Sequence, residues 1–316
     1  MSAAEEAGDL DAGKFRDALV TASGETRAYV ELKSLETFWV NTGTLCNVTC
    51  ANCYIESSPR NDRLSYITRS EVAAYLEEID MDALGTKLIG FTGGEPFMNP
   101  DMVAMLGDTL SRGHQALVLT NAMKPMHQRQ AGLLGLRQLY GGQLVLRVSV
   151  DHYTSARHEA ERGTGTWAPM IEGLNWLREH GFSLNIAGRN ITGEPEAALR
   201  AGYGRMFKDL GLSLDPLNPL DLVVFPEMDA RADVPEITSA CWEILSVSPD
   251  AQMCASSRMV VKRKGAEKPS VVACTLIPYD EQFELGSTLA EADQRVQLNH
   301  PHCARFCVLG GASCSA

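Results

Sequence analysis

Between about residue 35 and residue 226, short β-rich runs alternate with longer stretches of helical periodicity, and that alternation leaves few folds open. "LETFWVNT", "TKLIGFTGG", "QALVLTNA", "QLVLRVSVD", "FSLNIAGRN" and "LDLVVFP" read as strands. "SEVAAYLEEI", "DMVAMLGDTLSRG", "RQAGLLGLRQLY", "APMIEGLNWLREHG" and "EPEAALRAGYGRMFKDLG" read as the helices between them. Strands that are apolar almost throughout are buried on both faces, and strands separated by helices pair in parallel. Six such units are too few to close an eight-stranded barrel. The expected fold class is therefore α/β, an open, partial (β/α)6 barrel.

The pattern changes after about residue 230. "EITSACWEILS" has a helical look, and "RMVVKRKGAEKPSVVACTL" reads as a hairpin, two β-rich runs joined by a charged turn with Gly and Pro. The last stretch, "HPHCARFCVLGGASCSA", is rich in cysteine and poorly periodic, as expected of a small appendage organised by metal. The expected organisation is an N-terminal extension over 1–34, the partial barrel over 35–230 and a cysteine-rich hairpin subdomain over 231–316. A formal charge of −12 supplies no basic excess to neutralise phosphates, which argues against nucleic acid as a partner. No run of eighteen apolar residues suggests a membrane span, and the acidic first thirty residues have no signal-peptide pattern, so the expected location is cytoplasmic.

Nine cysteines in such a chain call for a reason, because the cytosol keeps thiols reduced. Three fall within "CNVTCANCYIE", directly after the first strand, at Cys46, Cys50 and Cys53. Cys241 stands alone, and Cys254, Cys274, Cys303, Cys307 and Cys314 follow. Clustered thiolates in a reducing compartment hold soft metals or clusters more often than they bridge. A cubane iron–sulfur cluster takes four thiolates, so a loop that supplies three leaves one iron open for a ligand from outside the protein.

The C-x3-C-x2-C spacing resembles the loop of the radical S-adenosylmethionine (radical SAM) superfamily, and three further segments strengthen the resemblance. "FTGGEPF" closes the second strand, "SVDHY" the fourth and "IAGRN" the fifth, so in a parallel sheet all meet the cysteine loop on one face. The resemblance implies a 4Fe-4S cluster on Cys46, Cys50 and Cys53 that chelates S-adenosylmethionine and cleaves it reductively to a 5′-deoxyadenosyl radical. It further implies that Gly93, Gly94 and Glu95 border the methionyl amino group, that Ser149 and Asp151 hold the ribose, and that Arg189 pairs with the methionyl carboxylate. Asn52 departs from the family's pattern, which often has an aromatic residue beside the adenine; Tyr54 is the compensating candidate.

The C-terminal cysteines resemble the twitch subdomain, a shortened form of the SPASM extension. That implies a second 4Fe-4S cluster on four of Cys254, Cys274, Cys303, Cys307 and Cys314, with the first four preferred; a structural zinc would need the same thiolates. Cys241 is expected to be a buried, inert thiol, the other reading being a catalytic thiol that donates or accepts a hydrogen atom. His152, Tyr153, Glu227 and Asp229 are candidate substrate contacts. The resemblance implies an enzyme that takes hydrogen from a substrate, with a reductant such as flavodoxin or ferredoxin as partner. Three readings follow: an oxidoreductase or rearrangement enzyme acting on a small metabolite, a maturase modifying a ribosomally made peptide or protein, and a non-catalytic iron–sulfur binding protein. The 34 residues before the barrel are too few for a leader-peptide-binding domain, which tilts the reading to the first.

Overall fold

The computed structural model describes residues 9–226, 229 and 231–311. All six expected strands are present: β1 (Thr37–Asn41), β2 (Leu88–Thr92), β3 (Gln115–Thr120), β4 (Leu144–Ser149), β5 (Ser183–Arg189) and β6 (Leu222–Phe225). Each pairs in parallel with the next, with Val40 opposite Phe91, Phe91 opposite Val118, Val118 opposite Leu146 and Val148 opposite Ile186. Every residue of β1 is buried, as a central strand covered on both faces requires.

The crossovers are α1 (Arg69–Met81), α2 (Met102–Ser111), the short α3 (Lys124–His127), α4 (Gln130–Tyr140), α5 (Ser155–Arg162), α6 (Trp167–Glu179) and α7 (Glu196–Asp209). Thr68 and Glu71 start α1 with a reciprocal capping box, which satisfies two otherwise orphaned N–H groups. Val72, Leu76 and Ile79 of α1 and Met105, Leu106 and Leu110 of α2 bury their apolar stripes on the convex face of the sheet.

The chain then returns to the opposite edge. β7 (Ser257–Val261) runs parallel to β1, with Thr37 opposite Ser257 and Val40 opposite Val260. The expected hairpin follows as β8 (Ser270–Val272), antiparallel to β7, and β9 (Glu284–Gly286) extends it. The order is β9-β8-β7-β1-β2-β3-β4-β5-β6, an open sheet of nine strands that passes without a break from the barrel into the cysteine-rich region. On the concave face Trp39, Leu117, Met259, Leu276 and Phe306 form a second apolar cluster, and Phe306 stacks on Phe225 at 5.9 Å between centroids.

The N-terminal residues bind the C-terminal region. Ala28 donates its N–H to the Ile237 carbonyl (2.8 Å), and Tyr29–Val30 pair with Val296–Gln297. Arg27 is fully buried, ion-paired to Glu236 and donating to the carbonyls of Asp17 and Val20. This pairing occupies the backbone of 237–239 and leaves the expected "EITSACWEILS" helix a single turn, Cys241–Ile244. No helix among the described residues is long and apolar enough to cross a membrane.

Candidate active site

The loop after β1 carries Cys46, which is buried, and Cys50 and Cys53, which are half-buried. It is held from beneath by the end of β2. Thr42 donates its N–H to the Thr92 carbonyl (2.8 Å), Gly94 to Gly43 (2.8 Å) and Glu95 to Leu45 (3.1 Å). Gly93 sits at a φ of 140°, and a side chain there would run into the Gly43 carbonyl oxygen; one at Gly94 would run into that of Leu45. The two glycines are needed first to let β2's end lie against the cysteine loop, while both also border the cavity above it. Gly94→Ala must displace backbone, not a flexible side chain. It is expected to cost about 1–3 kcal/mol, as overpacking does, and to lower iron uptake on reconstitution. Urea denaturation and iron analysis check this, and wild-type values for both would contradict it.

Glu95 is fully buried below the cavity floor. Its carboxylate accepts from the Thr120 hydroxyl (2.8 Å) and from the N–H groups of Asn121 (2.8 Å) and Phe97 (3.2 Å), tying β2 to β3. Burial pushes its pKa up to about 7 despite these donors. Asn121 in turn donates to the Asn47 side chain (2.8 Å). The structure thus makes Glu95 a brace between strand ends.

Burial pushes the Cys46 thiol up to about 12 and Cys50 to about 11. Such thiols ionise readily only where positive charge arrives with the ligand, as it does when iron binds. Among the described residues no three His, Cys, Asp or Glu side chains converge as a single ion would require. Cubane ligands each meet a separate iron and are spread more widely, so the loop's donor set suits a cluster.

The polar wall is built on β4, α5 and β5. Asp151 is buried just beyond β4, and Arg162 donates to both of its oxygens (2.8 and 3.1 Å). Burial opposes the Arg162 charge, but Asp151 and the neighbouring thiols more than offset it and raise its pKa. Glu161 binds the cysteine loop, accepting from the Asn52 N–H (2.9 Å) and side-chain amide (3.0 Å). Its carboxylate also takes Arg189 Nη1 at 2.6 Å, whereas Arg189 Nε is buried without a partner. An orphaned guanidinium N–H beside the cavity fits an anionic ligand.

Three adjoining cavities open above these residues and share Tyr54 and Leu119. The first is bordered by the three cysteines, Gly93, Gly94 and Ser149. The second is bordered by Cys50, Ser149, Asp151, Arg162 and Arg189. The third lies over Trp39, between Leu119, Phe225 and Leu276. Every residue expected to bind S-adenosylmethionine except Glu95 thus faces this chamber. Arg162 and Glu161 were not foreseen: "SARHEAER" has no apolar periodicity, and nothing in its neighbourhood singles out their distant partners.

Other expected contacts lie elsewhere. His152 and Tyr153 both turn to Glu194 (3.1 and 3.0 Å) and stack on one another, sealing the loops after β4 and β5. Asp229 accepts from Arg231, while Glu227 and Cys314 lie outside the described residues. Cys303 and Cys307 share a π-helical turn, Cys303–Val308. Cys254 and Cys303 pack against the apolar cluster around Val30, and Cys274 and Cys307 against the one around Trp39. Burial pushes Cys254 up to about 11 and Cys303 higher still. Cys241 is half-buried, against the expectation of a buried thiol, because its helix is one exposed turn; its sulfur accepts from the Thr238 N–H at 3.4 Å.

An open parallel sheet with a three-thiol loop at its mouth and a charged chamber beside it defines a class of cluster-bearing radical enzymes. Residues 40–199 match the Radical SAM superfamily, half of the chain, and the chain belongs to that superfamily. It is 28% identical over 144 residues to the antilisterial bacteriocin subtilosin biosynthesis protein AlbA of Bacillus subtilis (45% of this chain, 30% of AlbA). It is 30% identical over 139 residues to a GTP 3′,8-cyclase of Pseudomonas fluorescens (44% of this chain, 40% of the cyclase). Each match thus spans less than half of the relative's own length. Among solved structures, Streptococcus suis SuiB bound to precursor peptide SuiA superposes with a TM-score of 0.60 at 11% identity, over 89% of this chain and 67% of SuiB. anSMEcpe with bound AdoMet gives 0.57 at 14% identity, over 81% and 79% of the two chains. These likenesses establish the shared fold.

Proposed function

We propose that the chain is a radical SAM enzyme that takes hydrogen from an organic substrate, with oxidation or rearrangement of a small metabolite as the primary reading. The observation that carries it is the continuity of the three-thiol cavity with the one bordered by Asp151, Arg162 and Arg189. Cys46, Cys50 and Cys53 would hold a 4Fe-4S cluster whose bound S-adenosylmethionine, on one-electron reduction, supplies the hydrogen-abstracting group.

The chain's own residues orient and enclose. Arg189, its Nε unpaired, would hold the methionyl carboxylate, and Ser149 and Asp151, which border the same cavity, the ribose hydroxyls. Glu161 fixes both the cysteine loop and Arg189, so the two ends of the ligand are held in one frame. Gly93 and Gly94 bring backbone to the cavity where the amino group would lie, and Tyr54 covers all three cavities. Cys254, Cys274, Cys303 and Cys307 are the ligand set we assign to a second 4Fe-4S cluster in the 231–316 subdomain. The electron source is a small carrier such as flavodoxin or ferredoxin, in a reducing cytoplasmic setting. A second reading, modification of a ribosomally made peptide, is supported by the sequence match to AlbA.

Arg189→Lys tests the carboxylate contact, since lysine keeps the charge beside Glu161 and loses the guanidinium fork. Loss of a hydrogen bond to a charged group predicts roughly tenfold or greater weakening of S-adenosylmethionine binding by calorimetry on reconstituted protein. Unchanged affinity would remove Arg189 from the site.

A further inference from the structure

The third cavity separates from its neighbours by chemistry. Its floor is Trp39 on β1, and its walls are Leu119 of β3, Phe225 of β6 and Leu276 beyond β8, with Thr92 and Thr275 between them and Tyr54 above. Among the described residues no charged side chain borders it. The charged groups of the chamber, Asp151, Arg162 and Arg189, border the second cavity instead. The floor is also fixed in place. A side chain at Gly90 of β2 would run into the Trp39 ring, so a glycine inside a strand is what lets that ring lie flat against the sheet.

We propose that the part of the substrate from which hydrogen is taken is an uncharged, apolar group, aliphatic or aromatic, seated between Trp39, Leu119, Phe225 and Leu276. This inference rests on the reading of the chain as a radical SAM enzyme. Continuity supplies the geometry: Tyr54 and Leu119 border this cavity and the cysteine cavity alike, and Phe225 joins it to the one bordered by Asp151. Energetics supply the selectivity. A phosphate, carboxylate or ammonium placed here would lose its water and meet no opposite charge, only hydroxyls such as the unpaired Thr275 Oγ1, whereas each methylene placed here leaves water favourably. Charged portions of the substrate must therefore project outward, and the apolar group can belong to a free metabolite or to a residue of a peptide.

The test uses unmodified, reconstituted protein loaded with S-adenosylmethionine and an isosteric series: 3-methylbutan-1-ol, 3-methylbutanoate and 3-methylbutylammonium. Saturation-transfer NMR is expected to show the alcohol binding in the millimolar range and at least tenfold more tightly than either ion. N-acetyl-leucine amide, run beside them, reports the source. Binding tighter than the alcohol supports the proposal with a peptide residue as occupant, and weaker binding with the charge order kept supports it with a free metabolite. Leu276→Phe, which fills the cavity, is expected to weaken the alcohol at least tenfold and to leave S-adenosylmethionine affinity unchanged. Equal or tighter binding of either ion, or an unchanged alcohol affinity in Leu276→Phe, would overturn the proposal. Release of 5′-deoxyadenosine by the same protein on reduction reports separately on the radical reading, so either can fail while the other stands.

Discussion

Cys50→Ala lowers 5′-deoxyadenosine formation at least a hundredfold, to the level of the reductant blank. Cys50 borders both the cysteine cavity and the one bordered by Asp151 and Arg162, so on the proposed assignment it would touch both the cluster and its ligand. Removing it would leave two thiols for a cubane that, on that assignment, takes three from this loop. The loss is a loss of chemistry, because Cys50 is half-buried and makes little of the apolar core. The control is Cys241→Ala. That thiol sits on a one-turn helix that packs against the apolar cluster around Val30 and borders none of the three cavities, and its removal is expected to leave formation within twofold of wild type. Anaerobic reconstitution with chromatographic assay of 5′-deoxyadenosine separates the two variants. Comparable losses in both would mean that cysteine removal acts through folding.

Arg162→Met produces the larger loss of stability. The Arg162–Asp151 pair is bidentate and nearly withdrawn from solvent, with side-chain exposures of 13% and 4%. Methionine keeps most of the arginine stem's packing and leaves the Asp151 carboxylate buried without its cation. Breaking a buried pair from one side costs about 3–5 kcal/mol. Changing both members, Arg162→Met with Asp151→Asn, removes the stranded charge and is expected to recover more than half of that loss. Urea unfolding of the apo protein reads the cycle. Equal destabilisation by the single and double variants would show that Arg162 acts through packing and not through Asp151.

The strands and the cysteine loop were legible because their signals are local. Six apolar runs, each ending at a polar or glycine-rich turn, contain the information for their own burial, and three cysteines spaced by three and two residues announce themselves. The two glycines at 93 and 94 were also visible, but their first duty, packing on the backbone of residues 43–45, depends on a loop some fifty residues earlier. Helix α5 escaped because its buried residues are His158 and Glu161, not an apolar stripe. Arg162 and Glu161 gain meaning only from Asp151, Asn52 and Arg189, which the topology delivers to them. The hairpin was readable as a hairpin; that its first strand joins β1, some 220 residues away in sequence, was not, because nothing in "RMVVK" names its partner. The short helix at Cys241 has the same origin, since strand-like pairing with residues 26–28 takes up the backbone that a longer helix would need.

On the proposed reading, three thiols at the mouth of the open sheet hold a cluster that binds and cleaves S-adenosylmethionine. Its most direct test is anaerobic reconstitution of the unmodified chain, iron and sulfide analysis, then dithionite with S-adenosylmethionine and assay of 5′-deoxyadenosine and methionine. Both products are expected in equal amounts, from protein carrying about eight irons, the content of two cubanes. Iron at that level with neither product would contradict it and leave an iron–sulfur protein without radical chemistry.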